Sequence, residues 1–288
     1  MVDVAFIGHF ARDRLIYRGT TETASGGGVY YGALAVRRLG YSVAVITKLH
    51  PDDFDRLEEL IREGIEVHAT AAPQTTGIEN VYPTPDMDRR ICRPLGFAGP
   101  FSLEDLPPLA ARVTIVTPLM AGEVPGEVVR ALVARGPVGL DVQGFVRVRE
   151  GDELITRDWP AKEAYLARIT FLKVDDAEAE VLTGETDIHA AAAALAALGP
   201  REVLLTHGRG VLVHADGRFF EAPFVPRRVI GRTGRGDTCF ATYVASRLTL
   251  DPGSACRLAA AVTSLKMEHP GPSRLTREDA ERLLAGEG

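Results

Sequence analysis

Short apolar runs rich in β-branched residues recur along the chain, and each ends at a glycine, a proline or a polar residue. The clearest are "VDVAFIG", "YSVAVITKL", "VTIVTPL", "VGLDVQG", "ITFLKVD" and "EVLLTHG". Runs of this length and composition predict buried strands of a parallel sheet. Helical patterns lie between them, among them "GALAVRRLG", "FDRLEELIREG", "GEVVRALVARG", "AEAEVLTG" and "IHAAAAALAALG". The alternation predicts βαβ units and an α/β sandwich.

The last quarter of the chain has a different pattern, because helical segments follow one another without a strand between them. They begin near Asp237, at "PGSACRLAAAVTSLKME" and at "TREDAERLLAGEG". Their spacing predicts helices that together cover one face of the sheet. Before them, "VLVHADGRFFEAP" predicts a hairpin that turns at Asp216 and Gly217.

Two further segments interrupt the alternation of strands and helices. The stretches "RLIYRGTTETASGG" and "TTGIENVYPTPDMDRRICRPLG" alternate polar and apolar residues, and turn residues at 83–86 divide the second into two strand-like halves. Because the stretches are far apart in sequence, they predict a small β-subdomain built from insertions. We expect one domain over residues 1–288, with a lid formed by about 14–25 and 75–96 inserted in it.

Composition limits the classes of function. The 288 residues are 45% hydrophobic and 25% charged, which is typical of a globular protein with a sizeable core. The net charge is −6 and the arginines are scattered, so a small molecule is a better partner than nucleic acid. The cysteines lack the spacing of a disulfide framework or a zinc site. No secretion signal or membrane-length apolar run is seen, so we expect a cytoplasmic protein without a membrane partner.

Candidate chemistry is concentrated in one glycine-rich stretch, "VIGRTGRGDTCFATYVASRL". Gly234, Arg235 and Gly236 come immediately before an amphipathic helix. Glycines allow positive φ and a helix N-terminus presents unpaired N–H groups, so this loop suits a phosphoryl group. Asp237 would then lie beside the anion, where it could accept the proton of an attacking hydroxyl. The alternative is a simple turn in which Asp237 only caps the helix, worth about 1 kcal/mol.

Four motifs, in order along nearly the whole chain, resemble the ribokinase-like PfkB family of carbohydrate kinases. The glycine loop is similar to the family's C-terminal signature, and "GGGVYYGALAVRRLG" is similar to its N-terminal Gly-Gly helix. "LKVDDAEAEVLTG" and "THGRG" resemble its strand-end and nucleotide-turn segments. The resemblance implies a ribokinase-like three-layer α/β/α sandwich with a mainly parallel central sheet and a small β lid.

The resemblance also implies how the glycine loop works. Asp237 looks like the base that takes the proton of the substrate hydroxyl, and the amides of Gly234, Arg235 and Gly236 look like the anion hole. Arg232 and Arg235 depart from the family's signature. We expect Arg232 to point to solvent, whereas Arg235 could do the same or add a cation to the developing phosphoryl charge.

A metal role is implied for Asp175 and Glu178, which resemble the family residues that order Mg²⁺ and its waters near the phosphates. An oxygen donor at Asp175 suits Mg²⁺, usually through water. The alternative is an acidic helix start that complements the helix dipole. Lys173, just before them, could contact a phosphate or the substrate, or could be an ordinary surface lysine.

ATP is the donor that the resemblance implies. Thr206 and Gly208 resemble the nucleotide-binding turn, and Ala261 and Ser264 lie on the helix that resembles the wall against which adenine packs. Small residues there would permit close approach. The alternative for this helix is tight packing, which alanine at helical spacing usually indicates.

For the substrate, Asp13 stands at the end of the first predicted strand, where an Asp of the family hydrogen-bonds sugar hydroxyls. The pair Gly26 and Gly27 would let a substrate approach the backbone. Tyr31 stands where many sugar kinases have Asn, which argues against a plain ribokinase pocket.

Other stretches, such as "VGLDVQGFVRVREGDEL", resemble the inositol kinase branch of the family. Gln143 and Arg147 would then lie near the polyol or its phosphate. The implied function is a Mg²⁺-assisted, ATP-dependent kinase of a small sugar or cyclic polyol, with a myo-inositol-like substrate favoured. A nucleoside kinase and a ligand-binding homologue with impaired catalysis are the alternatives. Lids of this family often pair, so a homodimer through the lid is a further expectation.

Overall fold

The structure, a computed structural model, describes residues 1–17, 19–82 and 91–285. Its strands, in chain order, are β1 (Val2–Ile7), β2 (Ala11–Tyr17), β3 (Thr20–Gly26), β4 (Val43–Leu49), β5 (Glu66–Ala71), β6 (Gly77–Tyr82), β7 (Ile91–Gly96), β8 (Ala111–Val116), β9 (Val138–Asp141), β10 (Arg147–Glu150), β11 (Glu153–Thr156), β12 (Phe171–Asp175), β13 (Glu202–His207), β14 (Gly210–Ala215) and β15 (Arg218–Pro223).

Its helices are α1 (Gly28–Arg38), α2 (Glu58–Arg62), α3 (Gly126–Arg135), α4 (Gln143–Val146), α5 (Lys162–Leu166), α6 (Asp176–Thr183), α7 (Ile188–Ala197), α8 (Arg235–Ser246), α9 (Pro252–Met267) and α10 (Arg277–Leu284). Short 3-10 turns cover Pro51–Leu57 and Leu103–Asp105.

A nine-stranded sheet in the order β15-β14-β13-β12-β9-β8-β1-β4-β5 is the centre of the part of the chain that the structure describes. The strands from β13 to β5 run parallel to their neighbours, and β14 and β15 add an antiparallel edge. Helices α1, α8 and α9 bury apolar side chains on one face, and α3, α6 and α7 do so on the other. The predicted α/β/α sandwich with a mainly parallel sheet is therefore confirmed.

The apolar runs predicted six of these strands, whereas β5 has a mostly half-exposed pattern that gave no apolar signal. The segment "FDRLEELIREG" forms a 3-10 turn before the short α2 instead of one long helix. The predicted hairpin joins β14 to β15, and positive φ at both Asp216 and Gly217 (51° and 69°) gives it the tight turn that matches strand twist.

A second sheet, in the order β3-β2-β6-β7, is formed by the alternating segments. Strand β2 follows β1 after a few residues and pairs antiparallel with β3 and parallel with β6, so this sheet begins at the carboxyl end of the main sheet. The predicted turn at 83–86 lies outside the described residues. Action of this sheet as a lid, and one domain over 1–288, stay predictions. In the described ranges no helix has the length and apolar character needed to cross a membrane.

Candidate active site

A cavity of about 490 Å³ lies between the carboxyl ends of the main sheet and the second sheet. This is the place where parallel sheets usually bind ligands. The predicted site residues that line it are Asp13, Gly27, Tyr31, Gln143, Arg147, Lys173, Asp175, Thr206, Gly208, Gly234, Arg235, Gly236 and Asp237. The predicted residues that do not line it are Gly26, Glu178, Ala261 and Ser264.

The glycine loop ends in a left-handed residue at the start of α8. Gly234 has φ +78°, and a Cβ at this position would overlap the ring of Tyr31, so both the backbone conformation and the space require glycine. The amide of Arg235 donates to the carbonyl of Arg232 at 3.0 Å, within the turn. No side chain caps the helix, and the first intrahelical bond comes from the amide of Thr238. The N–H groups of Gly236 and Asp237 therefore have no intrahelical acceptor and can face an anion.

Asp237 lines the cavity. A Cβ on Gly28, in the first turn of α1, would lie 2.9 Å from its Oδ1, so this close approach depends on glycine. Burial raises the pKa of Asp237 to about 6, and the negative charge of Asp141 adds to this, whereas Lys173 and Arg147 oppose it. A carboxyl group with this pKa is ionised at neutral pH and close to the range of an efficient general base.

Lys173 supplies a buried cation to the cavity wall. Its Nζ lies 3.2 Å from Oδ1 of Asp141 and 3.3 Å from Oε2 of Glu178. Burial opposes the charge, but these carboxylates outweigh burial and hold the pKa of Lys173 above its ordinary value. A Cβ on Gly236 would lie 3.6 Å from the same Nζ, so the ammonium lies beside the loop amides. Cation and N–H donors together suit a phosphoryl group.

Asp175 and Glu178 form a reciprocal cap at the start of α6. Oδ1 of Asp175 accepts from the amide of Glu178, and Oε2 of Glu178 accepts from the amide of Asp175, each at 2.7 Å. Glu178 is buried beneath the cavity, where burial raises its pKa and Lys173 lowers it. Asp175 and its neighbour Asp176 line the cavity. No cluster of three or more metal-ligating side chains occurs among the described residues. Carboxylate oxygens beside a phosphoryl site suit Mg²⁺ that is carried mainly by phosphates and water.

The end of the cavity beyond the glycine loop, here called the donor end, has charges of both signs, because Asp175 and Asp176 line it next to Thr206. Thr206 and Gly208 line it at the end of β13, and Arg232 and Arg235 line it from the loop. Arg232 was expected in solvent but is half-buried in this wall. The guanidinium of Arg235 lies over the ring of Phe224, 5.9 Å from its centroid. This end thus offers cations and amides.

The predicted adenine wall is covered by the chain itself. Oγ of Ser264 donates to the carbonyl of Ala260 at 2.6 Å and accepts from the amide of Val225 at 2.9 Å, so the segment after β15 lies on this helix. Ala261 packs in a buried cluster with Leu39 and Ala280. The spacing of small residues in α9 therefore serves helix packing, which was the alternative interpretation.

The opposite end of the cavity, here called the acceptor end, is formed by the second sheet. Asp13 lies within β2, not at the end of the first strand as predicted, and its Oδ1 accepts from the amide of Ile78 at 2.8 Å. Gly26 lies behind it, and a Cβ there would overlap this carboxylate. Gly27 has φ +89°, and a Cβ would lie 2.6 Å from the carbonyl oxygen of His9. Both glycines therefore make room for protein groups, and only Gly27 reaches the cavity.

Sequence reasoning missed several residues of the acceptor end. Ile78, Asn80 and Leu119 line it beside Gln143 and Arg147. Asn80 is buried, and its Oδ1 accepts from the thiol of Cys92 at 3.4 Å. The signal that could have found Ile78 and Asn80 is the alternation in β6, because every second residue of a strand faces the same side.

Comparisons with known proteins agree with this geometry. The family model described as pfkB family carbohydrate kinase matches residues 2–279. A solved pyrophosphate-dependent kinase in the ribokinase family, complexed with a pyrophosphate analog and myo-inositol, is 39% identical with a TM-score of 0.90, covering 96% of this chain and 99% of its own. A pyrophosphate-dependent myo-inositol-1 kinase converted by mutation into a myo-inositol-3 kinase is 38% identical with a TM-score of 0.90, covering 99% of both chains.

The chain is also similar to kinases of lower sequence identity that act on other substrates. A ribokinase from Arabidopsis thaliana, complexed with ribose and ATP, is 22% identical with a TM-score of 0.79 over 98% of both chains, which is a likeness of fold. A cytidine kinase from Thermococcus kodakarensis is 26% identical over 256 residues, which cover 85% of this chain and 88% of the relative.

Proposed function

Because this chain belongs to the pfkB family of carbohydrate kinases, and so is a phosphotransferase that acts on hydroxyl groups, we propose that it transfers a phosphoryl group from pyrophosphate to a cyclic polyol of the myo-inositol class. The observation that carries the proposal is that one cavity contains a polar acceptor end, Asp237 and a donor end with several cations. The similar solved kinases of 38–39% identity use pyrophosphate, and one of them binds myo-inositol.

In the proposed reaction, the carboxylate of Asp237 accepts the proton of one polyol hydroxyl. The hydroxyl oxygen forms a new bond to the nearer phosphorus of pyrophosphate, and the bond from that phosphorus to the bridging oxygen breaks. The electron pair of the broken bond leaves with orthophosphate. The amides of Gly236 and Asp237 and the ammonium of Lys173 stabilise the charge on the transferred group. Mg²⁺, held by phosphate oxygens and by water on Asp175, would neutralise charge on the donor.

The covered adenine wall favours pyrophosphate over ATP. A nucleotide needs an apolar surface for its base, and the segment that contains Val225 occupies the expected one through its bond to Ser264. Pyrophosphate needs only amides, which Gly236 and Asp237 provide, and cations, which Arg232, Arg235 and Lys173 provide. ATP is the second candidate donor, supported by the family turn at Thr206 and Gly208.

At the acceptor end, a ring with a hydroxyl on every carbon needs several polar partners. Asp13, Asn80, Gln143 and Arg147 supply carboxylate, amide and guanidinium groups around the space next to Asp237. A nucleoside is the second candidate acceptor. The match to a cytidine kinase and the ring of Tyr31 in the cavity wall favour it.

A matrix of donors and acceptors tests the proposal. Purified protein with Mg²⁺ is given pyrophosphate or ATP, each with myo-inositol, other inositols, ribose, fructose or cytidine, and phosphate esters are quantified. We expect turnover with pyrophosphate and an inositol. Faster turnover with ATP would show that the proposed donor is wrong, and faster turnover of cytidine would show that the proposed acceptor is wrong. Binding without turnover of any pair would favour a ligand-binding homologue.

Two predictions accompany the proposal. The edge strands of the second sheet, β3 and β7, are proposed to pair in a homodimer, which sedimentation velocity can detect. A cytoplasmic location stays an expectation from the sequence.

A further inference from the structure

Lys266 is a buried lysine that the proposed reaction does not use. Its side chain is 1% exposed, and it is absent from the cavity wall. A buried ammonium must find acceptors. Its Nζ donates to the backbone carbonyls of Gly231, at 2.9 Å, and Thr233. Both acceptors lie in the chain that leads into the glycine loop.

The end of α9 therefore holds the start of the loop at several points. The carbonyl of Met267 accepts from the amides of Ile230 and Gly231, at 2.8 Å and 3.1 Å. Gly231 packs so closely that a Cβ would overlap the carbonyl of His269. The ammonium of Lys266 also lies 5.5 Å from the ring centroid of Tyr31, the ring against which Gly234 packs. Lys266 is thus placed behind the loop.

Peptide geometry connects this bond to the cavity. The carbonyl of Thr233 and the amide of Gly234 belong to one planar trans unit, in which C=O and N–H point in opposite directions. A carbonyl fixed toward Lys266 turns the Gly234 amide away from Lys266. Thr233 and Gly234 both line the cavity, whereas Lys266 does not. The same bond holds the backbone just before α8, and the amide of Gly236 lies in the first turn of that helix.

We infer that Lys266 is a positioning residue. Its ammonium binds the carbonyls of Gly231 and Thr233 and thereby orients the amides of the glycine loop toward the phosphoryl group. Lys266 itself does not touch substrate. The inference rests on the phosphoryl-binding role proposed for the loop. It predicts that a small cation can replace the ammonium when room is made for it, because carbonyl oxygens also bind such ions.

Three variants test the inference with pyrophosphate and the best acceptor. Lys266→Ala opens space in front of the two carbonyls, Lys266→Met fills the same space without charge, and Lys48→Met is the matched control. Lys48 also donates to a backbone carbonyl, that of Pro100 at 3.0 Å, and in addition to Oδ2 of Asp105 at 3.3 Å, but it lies outside the cavity wall. We expect kcat/KM for pyrophosphate to fall about 10²-fold in both Lys266 variants, the size expected from misplaced catalytic groups. The Kd of the acceptor should stay unchanged.

Ammonium or potassium chloride should restore much of the activity of Lys266→Ala, and tetramethylammonium chloride at equal ionic strength should not. Lys266→Met should respond to none of these salts. Wild-type activity in Lys266→Met, or loss in both variants without rescue by a small cation, would overturn the inference and leave only a packing role. Inactive wild type and Lys48→Met would instead count against the proposed function.

A measurement on the wild-type protein tests the inference even if the Lys266 variants fail to fold. Burial lowers the pKa of Lys266 to about 8; Asp237 opposes this shift, and Arg235 adds to it. These two groups of α8 and the ring of Tyr31 face the ammonium. Deprotonation removes the positive charge that strengthens the bonds to the two carbonyls, so kcat/KM for pyrophosphate should fall as pH rises through about 8, and added ammonium should not prevent it because the side chain still fills the site. A rate unchanged to pH 10 would contradict the inference.

Discussion

Two buried lysines approach the glycine loop from different regions of the molecule, and their surroundings differ in charge. Lys173, from β12, lies in the cavity wall and contacts two carboxylates. Lys266, from α9, lies behind the loop and contacts two neutral carbonyls. Carboxylates raise the pKa of Lys173, whereas burial lowers that of Lys266 to about 8. In this protein, the lysine in the cavity wall is therefore held by ionised carboxylates, and the lysine that supports the loop backbone is held by the dipoles of peptide carbonyls.

The largest expected effect comes from substitution of Asp237, whose carboxylate interacts electrostatically with both lysines. In Asp237→Asn, kcat should fall about 10²–10⁴-fold, because an amide cannot accept the hydroxyl proton. Binding of pyrophosphate and the polyol should persist in isothermal titration. Asp216→Asn, in the hairpin turn, is the matched control and should keep wild-type activity. A kcat within a few-fold of wild type in Asp237→Asn would remove the base from the mechanism.

Lys173→Met should reduce stability more than Lys266→Met does. It leaves Asp141 and Glu178 buried without their cation, which costs about 3–5 kcal/mol when a buried ion pair is broken. Urea denaturation followed by circular dichroism measures the difference. Adding Glu178→Gln to Lys173→Met should recover part of the loss, because one uncompensated carboxylate disappears. Equal destabilisation by the two single lysine variants would break the comparison.

A smaller effect is expected from Asp13→Asn at the acceptor end. Loss of one hydrogen bond to a charged group is worth about 1.5–3 kcal/mol, so KM for the polyol should rise roughly 10–100-fold. KM for pyrophosphate should not change, since Asp13 lies at the acceptor end and the proposed pyrophosphate site lies at the donor end. Initial rates at varied concentrations of each substrate separate these effects. A matching rise in both KM values would mean that the two ends are not independent.

The smallest expected effect is a fall in kcat/KM at acid pH. Asp237 must be ionised to accept a proton, and its pKa is raised to about 6, so kcat/KM should be constant near neutral pH and fall as pH falls through about 6. Initial rates between about pH 3.5 and 7.5 test this, and the residual rate of Asp237→Asn should lack the acid limb. A wild-type limb that lies near pH 4 would show that burial does not shift this carboxyl.

Features that depend on local pattern could be predicted from the sequence. Apolar runs predicted six of the nine strands of the main sheet, and adjacent glycines predicted the loop before α8, because both signals lie within a few residues. Features that depend on distant contacts could not. The partners of Lys266 lie 35 and 33 residues away, and the amide that covers Ser264 lies 39 residues away. Only packing of α9 against the chain after β15 brings these groups together.

The same distinction explains Glu178. A strand-end acidic pair at the spacing of Asp175 and Glu178 is compatible with a metal site and with a reciprocal helix cap. The sequence cannot tell which carboxylate turns inward, because that depends on the buried ammonium of Lys173. In the structure Glu178 contacts Lys173, and only Asp175 of the pair lines the cavity.

The most direct test of the proposed reaction is a ³¹P NMR time course of the protein with Mg²⁺, pyrophosphate and myo-inositol. The account predicts that the pyrophosphate signal is replaced by orthophosphate and one phosphomonoester in equal amounts, and that neither product forms without the polyol. Orthophosphate alone would indicate hydrolysis. No change with pyrophosphate, together with phosphomonoester formation when ATP is supplied, would contradict the account of the donor end.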